Sequence, residues 1–298
     1  MSNAHWSQAF FRQRIISSLP LKEGRQHHID LIQLEDQSRW VCKKFCSDTW
    51  LGATKPQNIE LSESLAEKAA EILGCCFAPY RDQTTARVIL NVGLVGAMIK
   101  PYCEGQIVHS FSLDQAHILG HTLAELHLLK ISKKGAQPLP LINLGSTHKL
   151  PSWLAELLQR CNLYCQYTKD SWVFSHRDIH AANIIWPDAR TPHIIDWESA
   201  GLIHPAIELI GLALNCAGLA RCRFEKELLL ATLEGYQKKA GSLPEIDEQH
   251  WDLVFHTWLL WYAFCARQGW HNDARETLDI MYLIRDKLPE MQHCYERN

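Results

Sequence analysis

No stretch of this 298-residue chain is long and apolar enough to span a bilayer, and there is no internal repeat or low-complexity segment. Neither sign of charge dominates. The formal net charge is −3, without the basic stripe that nucleic-acid binding requires. Eleven cysteines are present, yet there is no C-x-x-C pair, and Cys42, Cys46, Cys75, Cys76, Cys161 and Cys165 fall at no zinc-ligand spacing. The odd count, and a start (MSNAHWSQAFFRQ) without the apolar centre of a secretory signal, predict reduced thiols in a cytoplasm rather than a disulfide framework. Sixteen histidines are scattered through the chain. Glycine is sparse at the start of the chain: Gly24 is alone between Leu21 and Leu34.

What is present is concentrated between Phe174 and Glu198, FSHRDIHAANIIWPDARTPHIIDWE. The apolar triplets Trp172–Phe174, Ile184–Trp186 and His193–Ile195 read as short buried strands. Pro187 to Pro192 is turn chemistry, so the last two strands form a hairpin. Paired symmetrically about that turn, Trp186 faces His193, Ile185 faces Ile194, Ile184 faces Ile195, and Asn183 faces Asp196. Directly opposed residues lie roughly 4.5–5.5 Å apart at Cβ. An amide oxygen and a carboxylate at that separation can share one hard cation such as Mg²⁺. Asp178 opens the same loop and is free to face a hydroxyl. A metal pair with a third acid is what phosphoryl transfer needs, because positioning and charge neutralisation dominate its catalysis.

The order His176-x-Asp178-x-x-x-x-Asn183 followed by Ile195-Asp196-Trp197-Glu198 resembles the aminoglycoside phosphotransferase/choline kinase family. The resemblance implies an α+β, two-lobed, protein-kinase-like fold. Residues 1–103 would form a small lobe of antiparallel sheet with one main helix, and 104–298 a larger, mostly helical lobe. It also implies ATP and Mg²⁺ as cofactors, Asp178 as the catalytic residue that orients the acceptor hydroxyl, and Asn183 and Asp196 as metal ligands. His176 braces the loop. His180 lies near the substrate or the metal.

The rest of the chain is read against that pattern. Residues 5–19 are predicted as a helix, and Leu21–Leu34 as strand with the phosphate-covering loop, where Glu23-Gly24 stands for the family's glycine pair and His27 or His28 for its small polar residue. Arg39–Cys46 resembles the strand whose lysine reaches the phosphates. Lys43 matches better than Lys44. Residues 60–73 form a helix in which Glu67 matches the glutamate that pairs with that lysine, with Glu71 as the alternative. Arg87–Asn91 and Ala97–Tyr102 are further strands, and Pro101-Tyr102-Cys103 resembles the hinge that binds adenine. Ser112–Lys130 is a helix whose Leu-Ala-Glu-Leu-His ends on His127, a packed core histidine. Residues 131–150 are a connector and 151–167 a helix. Helices follow at 206–219, 223–240, 247–267 and 272–287, and Glu208 is expected to bond the backbone of the catalytic loop.

Trp258 and Trp261, with Glu198, fit a cationic acceptor through the ring quadrupole and a carboxylate. The partner is then a small-molecule hydroxyl acceptor of choline, ethanolamine, thiamine or aminoglycoside type, with neither nucleic acid nor membrane; oligomeric state leaves no trace. Two other readings compete. A protein kinase shares His-Arg-Asp with a later Asn, but Ile-Asp-Trp-Glu stands where Asp-Phe-Gly would be, and no Ala-Pro-Glu follows. A nucleotide-binding module without chemistry is supported only by the glycine-poor first loop.

Overall fold

The computed structural model describes residues 5–21, 26–92, 96–145, 150–167 and 170–298. The Glu23-Gly24 pair lies outside them. The chain opens with a 3₁₀ turn, Trp6–Phe10, and strand β1, Ile15–Pro20. β2 (His28–Leu34) and β3 (Arg39–Lys44) follow, then the short ribbon β4 (Asp48–Thr49) and β5 (Gly52–Ala53). Helix α1 spans Pro56–Leu73, and β6 spans Ala97–Pro101. One antiparallel sheet has the order β1-β2-β3-β6. Strand alternation divides its residues between two faces. Ile32, Leu34, Cys42 and Ile99 are buried on one face, covered by Trp6, Phe10, Phe11 and Ile15. Val41, Lys43, Met98 and Lys100 line the cleft on the other.

Two expectations fail in this part. Residues 5–19 are not a helix, because Ile15 to Pro20 pair along β2 while the aromatics ahead of them cap the sheet's apolar face. Residues 87–91 are not a strand. The outer edge of β6 is taken at Ile99 by the N–H of Tyr80, and only Leu90 reaches it, through two backbone bonds with Ala97.

α1 begins with Pro56 at its first position, buries Ile59, Glu63, Leu65, Ala66 and Ala69, and stops at Gly74 in the left-handed region. The remainder is mostly helical. α2 (Leu113–Leu128) starts on a reciprocal Ser112–Gln115 capping box, and α3 spans Ser152–Tyr164. β7 (Val173–Ser175), β8 (Ile184–Ile185), β9 (His193–Ile194) and β10 (Gly201–Ile203) carry the polar motif, with β7 paired to β10 and β8 to β9. Then come α4 (Pro205–Cys216), α5 (Lys226–Ala240), α6 (Glu248–Leu253), α7 (His256–Gln268) and α8 (His271–Glu296). The single helix expected over 247–267 is divided, since Val254 and Phe255 bond back three residues rather than four. α8 continues past Pro289 because Met291, Cys294 and Tyr295 remain buried beyond it.

α2 and α5 meet at two glycines. A Cβ on Gly120 would overlap the carbonyl oxygen of Thr232, and one on Gly235 that of His117. Both blocking atoms are backbone, so nothing can rotate away. Gly235→Ala is therefore expected to destabilise the chain by about 1–3 kcal/mol, as overpacking does. Gly211→Ala in α4, where nothing lies within 4 Å, should instead stabilise by about 0.5–1 kcal/mol. Urea unfolding of the two variants checks the opposite signs.

Candidate active site

The motif is held by its own backbone contacts. His176 is fully buried; its Nε2 donates to the Ile195 carbonyl at 2.9 Å and its Nδ1 accepts the Asp178 N–H at 3.2 Å. Burial holds its pKa below the ordinary histidine value, against the pull of that carbonyl, so it serves as a brace. Arg177 takes φ of 68°, a left-handed backbone. Its N–H donates to Glu208 at 2.6 Å, and its guanidinium donates to the carbonyls of Ser199 and Gln137. A side chain on Gly201 would strike that guanidinium, which explains the glycine. The other Glu208 oxygen accepts from His127 at 2.8 Å, and the Nδ1 of His127 meets the Tyr236 hydroxyl. Glu208 is thus the acid that fastens the loop at Arg177, and His127 is a core residue.

These ties present Asp178 to the cleft. Burial pushes its pKa up to about 6, with Asp196 and Glu198 adding repulsion against the pull of His180 and Asn183. Asn183 donates its amide N–H groups to the backbone carbonyl of Asp178 at 2.9 Å and to its carboxylate at 3.3 Å. Both known donations use its nitrogen, so its oxygen is the atom available to a cation.

The hairpin register differs from the symmetric expectation by one residue. Ile184 faces Ile194 and Ile185 faces His193, and the Ile195 N–H bonds the Asn183 carbonyl. Trp186 is not paired with His193 because its backbone exchanges two hydrogen bonds with Gln106. A one-residue slip sends side chains to the opposite face. Asp196 corrects this locally: φ of 63° and ψ of 55° turn it left-handed directly after β9. Its carboxylate therefore lines the cleft with Asn183 although the two are not opposed in the ladder.

Lys43 reaches across from the sheet. Its Nζ lies 2.7 Å from Asp196 and 2.6 Å from Glu198, and its side chain is 4% exposed. Burial disfavours the ammonium, but the two carboxylates outweigh that and hold its pKa well above the ordinary lysine value. Glu198, expected at the acceptor, is instead engaged by Lys43 and by His27, whose Nε2 is 3.3 Å away. Burial opposes its charge, yet these partners keep its pKa well below the usual carboxylate range. The expected Lys43–Glu67 pair does not form. Glu67 is bound in a fork by Arg81, and Glu71 by Lys68. The glutamate of α1 that meets a lysine of the cleft is Glu63, one turn earlier and fully buried; it pairs with Lys100 at 2.6 Å. Burial raises its pKa against that lysine. The spacing of α1 places Glu63 and Glu67 on one stripe, so only packing distinguishes them.

Lys43, Lys100, Asp178, Asn183, Asp196 and Glu198 line one cavity of about 1290 Å³, large enough for a nucleotide and a second small molecule. Pro101, Tyr102 and Cys103 form part of its wall. The Tyr102 N–H bonds Arg39 inward to β3, so by alternation the carbonyl of Pro101 and the N–H of Cys103 point away from that strand. Gly105, at φ of 146°, passes so close to the Trp186 carbonyl that no Cβ fits. At the other end, Trp258 and Trp261 of α7 line the cavity with Asn215 and Thr257. His180 lines it beside the motif, with its Nε2 3.6 Å from Asp178. Among the described residues no three histidine, cysteine or acidic side chains gather as a metal cluster. The donor set Asn183 oxygen plus Asp196 carboxylate still fits a hard cation that keeps water and phosphate ligands.

A family model described as a phosphotransferase enzyme family matches residues 21–247. Sequence comparison with individual curated proteins gives no match. Among solved structures, an amicoumacin kinase in complex with AMP-PNP and Ca²⁺ superposes with a TM-score of 0.66 at 13% identity, over 92% of this chain and 90% of that one. A spectinomycin phosphotransferase in complex with ADP and its antibiotic gives 0.62 at 12%, over 94% and 92%. An ethanolamine kinase from Plasmodium vivax gives 0.59 at 13%, over 93% and 83%. At such identities the likeness is one of fold.

Two stability measurements follow from the buried pairs. Lys100→Met strands the Glu63 carboxylate in the interior and should cost about 3–5 kcal/mol in chemical unfolding, while Glu63→Met with Lys100→Met should recover most of it. Glu208 also carries a pH signature. Burial alone would raise its pKa, but His127, Ser175 and the Arg177 N–H bring it below the ordinary glutamate value of about 4.3. Its contribution is therefore complete above that value and lost as pH falls through the lowered one. The stability gap between wild type and Glu208→Gln should stay constant from about pH 7 to pH 5 and close below about pH 4.

Proposed function

The chain belongs to the phosphotransferase enzyme family, and from that premise we propose that it transfers the γ-phosphoryl group of ATP to a hydroxyl of a small cationic acceptor. The observation that carries this reading is the Lys43 ammonium held 2.7 Å from Asp196, on the same cavity wall as Asp178 and Asn183. The lobes divide between residues 103 and 104, and the nucleotide lies between them. The carbonyl of Pro101 and the N–H of Cys103 accept and donate to the adenine edge, with Tyr102 between them. Asn183 and Asp196 would hold Mg²⁺, which would supply charge neutralisation for the phosphates. Lys43 then turns from the carboxylates toward the phosphates. Asp178 orients the acceptor hydroxyl and takes its proton as the new P–O bond forms and the β–γ bridge breaks.

The acceptor occupies the end walled by Trp258 and Trp261, with His180 at its inner edge. Among the described residues the carboxylates of the cavity are Asp178, Asp196, Glu198 and Glu208, and all four are engaged in the transfer centre or the loop brace. A cation in the outer pocket therefore meets aromatic faces, which favours a single charge over a polycation. The complexes of similar fold with spectinomycin and with amicoumacin support a small-molecule partner.

ADP release from Mg-ATP should be stimulated by one member of a panel of choline, ethanolamine, thiamine, homoserine and aminoglycosides. Asp178→Ala should lower kcat by about 10²–10³, the usual effect of removing a transition-state contact, with the thermal unfolding curve unchanged. A variant keeping more than about a tenth of wild-type kcat would sink the role of Asp178.

A further inference from the structure

We propose that His27 is a phosphate-positioning residue: its Nε2–H donates to the nucleotide's phosphate chain beside Lys43, in place of backbone donors from a glycine-rich loop. The inference rests on the nucleotide reading above. Close backbone approach to phosphate favours residues without Cβ, and Gly24 is the only glycine between β1 and β2. Side chains hold the described part of that connection instead. Gln26 accepts the Trp50 N–H at 3.2 Å, and the Nδ1 of His27 accepts the Cys46 N–H at 3.1 Å. Phe45 meets the imidazole nearly edge to face, with ring centroids 5.3 Å apart, and the His27 side chain is 7% exposed.

This fixes both the ring and its tautomer. With Nδ1 accepting, the proton of the neutral ring is on Nε2. That atom is directed at Oε1 of Glu198, 3.3 Å away, and the same oxygen takes the Lys43 ammonium at 2.6 Å. A donor from the loop and a cation from β3 thus converge on one anionic oxygen. Glu198 fills the position now. A phosphate oxygen offers the same charge and lone pairs to the same two donors.

Titration calorimetry with AMP-PNP plus Mg²⁺, and separately with adenosine, tests this on wild type, His27→Ala, His27→Gln and Lys43→Ala. His27→Ala should bind AMP-PNP about tenfold or more weakly, as loss of one charge-assisted hydrogen bond does, with adenosine within about twofold. His27→Gln, whose amide N–H reaches the place of Nε2, should restore most of the loss. His27→Leu keeps an apolar body against Phe45 without a donor, and it should repeat the loss if the alanine variant does not fold. AMP-PNP affinity unchanged in His27→Ala but lost in Lys43→Ala overturns the role of His27 and leaves the nucleotide reading standing. Equal weakening of adenosine and AMP-PNP assigns His27 a merely structural hold on the loop and overturns the proposal. Wild type that binds neither ligand overturns the nucleotide reading and this inference together.

Discussion

A buried ammonium links the antiparallel sheet to the polar motif. Lys43 stands on the third strand of the sheet, and both of its partners, Asp196 and Glu198, lie on the segment after the β8–β9 hairpin. Taking three charges out of water is costly unless each is well paired. The surroundings supply that pairing: Glu198 has a second partner in His27, and Asp196 keeps one edge toward solvent. The position of the sheet over the motif is therefore set by electrostatics that a metal and a phosphate chain would satisfy equally well.

Around this ammonium the loop is built from backbone hydrogen bonds rather than from apolar packing alone. His176 reads the carbonyl of Ile195, Glu208 reads the N–H of Arg177, and Asn183 reads the carbonyl of Asp178. Each polar side chain fixes the backbone of another part of the motif, so Asp178 is presented without depending on its own contacts. Left-handed backbone at Arg177 and Asp196 costs about 1–2 kcal/mol per residue, and these hydrogen bonds offset it.

Much of this was legible in the sequence, for identifiable reasons. The match to the family's strand pattern put Lys43 ahead of Lys44, and the spacing of Asp178, Asn183 and Asp196 brought those residues to one cavity. The hairpin register was misread because symmetric pairing ignores the competing partner of Trp186, the distant Gln106, and because a left-handed aspartate leaves no local signal. Glu67, with Glu71 as the alternative, is what the family's pattern selects, and Glu63, one turn earlier on the same stripe of α1, is not distinguished by spacing. The choice depends on where the helix crosses the sheet, and the charge that selects Glu63 is Lys100, far along the chain. The N-terminal segment read as helix because its aromatic spacing suits a helix as well as a cap on a sheet face.

The hairpin that carries Asn183 is tied by backbone bonds at two separate places: Trp186 to Gln106, just past the strand β6, and Ile194 to Cys75, just past helix α1. The two stitches come from different parts of the chain, one just past the end of the sheet and one just past the end of α1. Asn183 directly precedes β8 and Asp196 stands two residues after Ile194, so loosening of either distant segment is transmitted to the corner that carries both side chains.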